Sequence, residues 1–116
     1  LVWGMTLAQV SAILTKHSSR FVRAYIYGSV AGGLEDAYSD VDLLLVRETG
    51  KEFFDRIREV MDMVRELGPV DLLIYTPEEL RELIEIRRNA FLVRVLEQGV
   101  AVEGSQGRRP SLAPTG

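Results

Sequence analysis

Residues 27–46 of this 116-residue chain read Tyr-Gly-Ser-Val-Ala-Gly-Gly-Leu-Glu-Asp-Ala-Tyr-Ser-Asp-Val-Asp-Leu-Leu-Leu-Val, and they contain the strand and turn signals on which the predicted sheet depends. Its last six residues, 41–46, are apolar except for Asp42, which predicts a strand covered on both faces. Residues 21–27 are rich in β-branched and aromatic types and end at a glycine, which predicts another strand. The stretch 30–39 has no sustained periodicity and is predicted to be a loop or a short helical turn. About 12 residues separate the two strands, too few for an easy parallel crossover, so a mixed sheet is expected.

Outward from this stretch, apolar periodicity and helix-capping residues predict the other elements. A first helix is expected over about residues 6–17, and a second follows a capping box of Thr49 and Glu52 and ends at Gly68-Pro69. The later predictions are a third strand at Val70–Tyr75, a helix begun by Thr76-Pro77-Glu78-Glu79, a helix capped by Asn89, and a short strand at 100–102. This order predicts an α/β or α+β domain, in which helices cover a small mixed sheet of about four strands.

The length predicts a single domain, which we place at residues 1–103. Residues 104–116 are dominated by Gly, Ser and Pro and are expected to be a disordered tail. Arg108 and Arg109 are the only charged residues of that tail, so residues 1–103 hold 12 basic and 17 acidic side chains, a net charge of −5. Such an acidic domain does not suit a long nucleic acid, although it can hold a nucleotide if metal ions bridge the like charges.

Composition also excludes several classes of site. The chain has no cysteine and only one histidine, His17, which leaves no thiol chemistry and little material for a histidine triad. No apolar run approaches the roughly 20 residues of a membrane-spanning helix, so no membrane partner is expected. No charged and then apolar leader is visible, and the cytoplasm is therefore the expected compartment.

Three aspartates occupy positions where acidic residues are disfavoured. Asp40 and Asp42 begin the second predicted strand two residues apart, so their side chains point to the same face. Asp71 lies one residue into the third predicted strand, among Val, Leu and Ile. If the two strands are neighbours, the three carboxylates converge. Carboxylates that lie so near one another share protons or hold cations. Oxygen ligands without histidine or cysteine favour Mg²⁺ or Mn²⁺ over zinc. The alternative interpretation is that each aspartate binds no metal and merely ends a strand at the sheet edge.

Gly28-Ser29 directly follows the first predicted strand. A glycine lets the backbone approach a phosphate closely, and the serine hydroxyl and backbone N–H groups can bind phosphate oxygens. Such a pair is by itself usually only a turn. Its value as a signal depends on the aspartates that follow it.

The combined pattern is Gly28-Ser29, ten intervening residues, Asp40-Val41-Asp42, and Asp71 on a later strand. It resembles the signature of the nucleotidyltransferase superfamily related to DNA polymerase beta. The short length and the continuation over residues 70–80 are similar to the minimal nucleotidyltransferase branch of that superfamily. The resemblance covers about residues 6–103, nearly the whole predicted domain.

The resemblance implies a palm-like mixed-sheet fold that uses ATP or another nucleoside triphosphate and two divalent ions, Mg²⁺ or alternatively Mn²⁺. By position, Gly28 and Ser29 would hold the β- and γ-phosphates. Asp40 and Asp42 would ligate the metals. Asp71 would be the third carboxylate, bridging a metal and the acceptor hydroxyl or serving as the base. Catalysis would then be the in-line transfer of a nucleoside monophosphate with release of pyrophosphate.

Minimal members of the family resemble antitoxins that adenylylate a tyrosine of a helical HEPN partner, and we expect the same role here. One difference is that many of them read Gly-Ser-Arg-Ala-Arg-Gly where residues 28–33 of this chain read Gly-Ser-Val-Ala-Gly-Gly. Arg47, Arg87 or Arg88 are candidates to replace the missing charges. Two alternatives stay open: a non-catalytic antitoxin that blocks its partner by occlusion, and a transferase acting on a small molecule such as an aminoglycoside.

Overall fold

The computed structural model describes residues 5–28, 31 and 40–108. Its first elements are α1 (Leu7–Lys16), a short 3₁₀ turn (Ser18–Arg20), β1 (Arg23–Tyr27), β2 (Val41–Val46), a 3₁₀ helix (Phe53–Val60) and α2 (Met61–Leu67). Then follow β3 (Val70–Tyr75), α3 (Pro77–Arg81), a π-helical turn (Glu82–Ile86), α4 (Ala90–Gln98) and β4 (Val100–Glu103). Among these described residues, no helix is long and apolar enough to cross a membrane.

The four strands form one mixed sheet in the order β3-β2-β1-β4. β1 pairs antiparallel with both β2 and β4, whereas β2 and β3 run parallel. β2 and β3 can run parallel because the chain between them forms the 3₁₀ helix and α2, which cross one face of the sheet. The predicted fold class, helices covering a small mixed sheet, is confirmed.

Alternation along the strands gives the sheet two apolar faces, each covered by helices. One face packs against α1 and α2, and its fully buried members include Val10, Leu14, Ala24, Ile26, Leu43, Leu45 and Met63. The other face packs against α3, the π-helical turn and α4, and its buried members are Tyr25, Leu44, Val46, Leu80, Leu92 and Val95. Both faces of β2 are therefore covered, as its nearly continuous apolar sequence predicted.

Capping boxes form at Thr6 with Gln9 and at Thr76 with Glu79. The predicted box at Thr49 is wrong. The Thr49 hydroxyl instead donates to the Glu59 carboxylate at 2.6 Å and accepts from the backbone N–H of Lys51. Its oxygen is therefore committed before the helix begins, and residues 53–60 start as a 3₁₀ helix without a side-chain cap.

A buried arginine joins that 3₁₀ helix to the start of α3. Arg56 is only 6% exposed, and its guanidinium donates to both carboxylate oxygens of Glu79, at 2.6 and 2.9 Å. It also donates to the backbone carbonyls of Lys51 and Ile74, at 2.9 and 3.0 Å. Glu79 in turn accepts from the backbone N–H of Thr76. The capping box and the ion pair thus share one carboxylate.

This shared carboxylate predicts a contribution to stability that acid removes. The hydrogen bonds from Arg56, and then those from Thr76, lower the pKa of Glu79 from 4.5 to about 2. Because the folded pKa lies below the unfolded one, the contribution is complete above pH 4.5 and is lost as the pH falls towards 2. In thermal melts, we expect the wild type to be more stable than Glu79→Gln at pH 7 and the difference to vanish over that interval. A difference that does not change with pH would contradict the assignment.

The first residues of the predicted tail are attached to the domain. The backbone N–H groups of Gly104, Ser105 and Gln106 donate to the carbonyls of Val22, Ser18 and Phe21, at 3.0, 2.8 and 3.0 Å. The Gln106 side chain also exchanges two hydrogen bonds with the Glu48 backbone. At residues 104–106 the structure differs from the expected disorder, because β4 delivers their backbone N–H groups to carbonyls of the segment that precedes β1. Residues 109–116 lie outside the described part of the chain, and the domain boundary at 103 stays a prediction.

Candidate functional site

Two of the three candidate aspartates lie side by side on the sheet. In the parallel pairing of β2 with β3, Asp42 is directly opposite Asp71, and in the antiparallel pairing of β1 with β2 it is opposite Tyr27. Residues that are directly opposite on neighbouring strands point to the same face. The two carboxylates and the Tyr27 ring therefore share one end of the face that α3 and α4 cover.

Asp71 lies close enough to Asp42 to oppose the ionisation of the Asp42 carboxyl. Burial raises the pKa of Asp42, and the negative charge of Asp71, the hydrogen bond shared with Asp71 and the charge of Asp40 raise it further. The pKa of the Tyr27 phenol is also raised, first by burial and then by Asp42 and Asp71. No cationic side chain in the described part of the chain contributes to either pKa shift. Within residues 5–28, 31 and 40–108, the negative charge at this site is therefore uncompensated.

Asp40 is not part of the side-by-side pair that Asp42 and Asp71 form on the sheet. It precedes β2 and is exposed, whereas Asp42 is half-buried and Asp71 faces solvent at the edge strand. Among residues 5–28, 31 and 40–108, no three His, Cys, Asp or Glu side chains stand in a metal-binding arrangement. The donor set that is present, carboxylate oxygens without nitrogen or sulphur, fits a hard cation such as Mg²⁺. Asp42 and Asp71 are the part of the predicted trio that the fold brings together.

Gly28 lies against the Asp42 carboxylate. It has a φ of +76°, a conformation that favours glycine, and a Cβ placed there would collide with Oδ2 of Asp42. The turn after β1 therefore requires glycine both for its backbone angle and for the space next to the carboxylate. Ser29, the other predicted phosphate ligand, lies outside the described residues, and its role stays a prediction.

Of the three arginines suggested as replacement charges, the structure excludes one, Arg47. Arg47 follows the opposite end of β2 from Asp42, pairs with Glu59 at 3.4 Å and donates to the Arg20 carbonyl at 2.5 Å. The suggestion is wrong for Arg47, because its guanidinium is committed to anchoring that end of the sheet. Arg87 and Arg88 are exposed in the turn before α4, and Arg88 has a φ of 51°. Neither has a side-chain hydrogen bond to any residue that the structure describes.

The sequence did not indicate a cavity that opens beside Gly28. It has a volume of about 410 Å³ and lies between the end of β1 and one face of α4. Tyr27 and Gly28 line it from the strand, and Phe91, Arg94 and Gln98 line it from the helix. Their spacing of three and four residues along α4 is the only signal in the sequence, and it is equally typical of a solvated helix face.

Comparison with known proteins agrees with this geometry. The family profile described as a nucleotidyltransferase domain matches residues 7–104. Among solved structures, the chain is similar to a "putative nucleotidyltransferase" from Sulfolobus solfataricus, with 29% identity and a TM-score of 0.50. That match covers 64% of this chain and 69% of the other. No curated protein matches.

Proposed function

Since the chain belongs to the nucleotidyltransferase domain family, we propose that it transfers AMP from ATP to a hydroxyl group in a Mg²⁺-dependent reaction. The acceptor that we propose is a tyrosine of a helical HEPN-type partner, which makes the protein an antitoxin-like adenylyltransferase. The observation that carries the proposal is the in-register pair of Asp42 and Asp71, with the Gly28 backbone against it.

The proposed metal ligands are Asp42 and Asp71, with Asp40 at the start of the same strand. The negative charge that raises the pKa of Asp42 has no cationic partner among the groups that shift it, and a divalent cation would compensate it. Bound there, two such ions would stabilise charge on the attacking and leaving oxygens of a displacement at the α-phosphorus. Because Asp40 is exposed, its side chain is free to turn towards this pair.

Each remaining step is assigned to residues of the chain. Gly28 and Ser29 bind the β- and γ-phosphates through backbone N–H groups and the serine hydroxyl. Asp71, the more exposed of the paired carboxylates, faces the incoming acceptor and takes its proton. The acceptor oxygen then bonds to the α-phosphorus, the bond to the bridging oxygen breaks, and pyrophosphate leaves.

One observation favours a second function, that of a non-catalytic antitoxin which neutralises its partner by occlusion. Residues 28–33 contain no arginine or lysine, so this loop offers the triphosphate no positive charge. Such a protein would bind its partner equally well with and without Mg²⁺. Binding would also be unaffected by substitution of Asp40, Asp42 or Asp71.

The two functions are distinguished by label transfer. The protein is incubated with Mg²⁺ and a lysate of its source, once with α-labelled ATP and once with γ-labelled ATP. We expect one protein band to carry the α-label and not the γ-label, and fragmentation of that protein to place AMP on a tyrosine. Chelation of the metal should abolish the label, and Mg²⁺ or Mn²⁺ should restore it.

The other outcomes contradict defined parts of the proposal. A labelled small molecule would replace the protein acceptor with one of the aminoglycoside type. A band labelled by γ-labelled ATP as well would indicate a different group transfer. Absence of any label, together with Mg²⁺-independent partner binding, would leave the occlusion function.

A further inference from the structure

The cavity beside Gly28 begins next to the candidate carboxylates. Gly28 contacts the Asp42 carboxylate, and Tyr27, which lines the same cavity, lies opposite Asp42 in the sheet. A molecule whose reacting atom is at Asp42 and Asp71 can therefore extend along the Gly28 turn into this space. Its volume of about 410 Å³ lies within the roughly 300–1,000 Å³ typical of small-molecule sites.

Arg94 is the cation of this cavity. It is exposed on α4, and no acidic residue in the described part of the chain lies within ion-pairing distance of it. Five other arginines are already paired with carboxylates: Arg20, Arg23, Arg47, Arg56 and Arg108. Among the described residues that line the cavity, no other carries a charge. Arg94 therefore places an uncommitted guanidinium in the same cavity as Gly28, and the sequence of residues 28–33 contains no arginine or lysine.

Aromatic rings form another part of the wall. The Tyr27 and Phe91 rings meet edge to face, with their centroids 5.7 Å apart. Phe91 is nevertheless 50% exposed, so much of its surface stays available to a planar group. Gln98, one turn beyond Arg94, adds an amide that both donates and accepts hydrogen bonds. The cavity thus suits a ligand with an anionic part and a flat ring.

We propose that Arg94 binds the β- and γ-phosphates of the nucleoside triphosphate from α4 and replaces the arginines that the loop after Gly28 lacks. Phe91 packs against the sugar or base of the same nucleotide. This inference rests on the proposed nucleotidyl transfer and identifies the residue that makes binding of a triphosphate possible in an acidic domain. A guanidinium suits this role because its planar set of donors can hold two phosphate oxygens at once.

The test is calorimetric titration of the protein with α,β-methylene-ATP, which cannot transfer AMP, in the presence of Mg²⁺. We expect Arg94→Ala to weaken binding by about 10- to 100-fold, the usual effect of losing a hydrogen bond to a charged group. Arg94→Lys should recover part of the loss, because it keeps the charge. Binding of AMP should change by less than about threefold, because AMP lacks the phosphates that Arg94 contacts. Arg65→Ala, an exposed arginine on α2 across the sheet, is the matched control and should bind like the wild type.

Failure of this inference can be told apart from failure of the proposed function. If Arg94→Ala binds the analogue as tightly as the wild type does, Arg94 does not hold these phosphates. The same conclusion follows if its affinity for AMP falls as much as its affinity for the analogue. In either case, label transfer by the wild type would still support the proposed function. If Arg94→Lys shows no recovery, the side chain only shapes the cavity and the inference is wrong. A wild type that binds no nucleotide at all would overturn both proposals.

Discussion

Asp42→Asn is expected to lower AMP transfer by about 1,000-fold or more, because loss of a metal-holding carboxylate removes several kcal/mol of transition-state stabilisation and each 1.36 kcal/mol is tenfold in rate. Asparagine keeps nearly the same shape, so the packing of β2 should be unaffected. The charge that it removes lies opposite Asp71, whose own negative charge raises the pKa of Asp42. The variant should therefore melt at or above the temperature of the wild type. The measurement is the initial rate of α-label transfer at saturating Mg²⁺, alongside a thermal melt.

Asp55→Asn is the matched control for this variant. Asp55 is exposed on the 3₁₀ helix, away from the strand ends that carry Asp42 and Asp71. The substitution removes the same charge and should leave the rate unchanged. Transfer by Asp42→Asn at the wild-type rate would eliminate the carboxylate pair as the catalytic centre. An equal loss in both variants would indicate a dependence on net charge.

Arg56→Ala is expected to destabilise the fold by about 2–4 kcal/mol, because truncating one member of a buried, hydrogen-bonded ion pair leaves its partners unsatisfied. The carbonyls of Lys51 and Ile74 would each lose a donor, and Glu79 would lose its cation. Breaking a fully buried ion pair can cost as much as about 5 kcal/mol. We expect a smaller loss here, because the Glu79 side chain is 42% exposed and can be hydrated. Urea unfolding at pH 7 measures the change in the free energy of unfolding.

The control for Arg56→Ala is Arg58→Ala, two residues further along the same 3₁₀ helix. Arg58 is exposed, so its loss should change the free energy of unfolding by no more than about 0.5 kcal/mol. Similar values for the two variants would show that the network around Arg56 contributes nothing beyond a surface charge. The catalytic rate of folded Arg56→Ala should stay close to that of the wild type, because the network lies at the opposite end of β3 from Asp71.

The limits of the two parallel strands could be predicted from the sequence because each is a largely apolar run bounded by charged, proline or helix-capping residues. The predicted strands 41–46 and 70–75 agree with the observed β2 and β3. The sequence left open whether these strands are neighbours, and their direct parallel pairing is what brings Asp42 to Asp71 across 28 intervening residues. That juxtaposition depends on tertiary packing, which local periodicity does not encode.

Polar side chains were harder to place because each has several local partners of similar energy. Thr49 has the residue type and spacing of a helix cap, yet its hydroxyl is taken by Glu59, ten residues away. Arg47 directly follows the strand that carries Asp42, yet it serves the other end of that strand. Arg94 resembles any exposed helix residue, and only the packing of α4 next to β1 shows that it lines a cavity. Long-range neighbours decide each of these roles.

The carbonyl that Arg56 binds also bears on how the sheet behaves towards other molecules. β3 is an edge strand, and the carbonyls of Pro69 and Tyr75 accept hydrogen bonds from the β2 side. Carbonyls alternate in direction along a strand, so that of Ile74 points away from the sheet, where the guanidinium covers it. An extended segment of another protein that paired with this edge strand would lack one backbone acceptor, because the Ile74 carbonyl is already hydrogen-bonded. The same arginine thus removes one backbone acceptor from the edge at which further strands could pair.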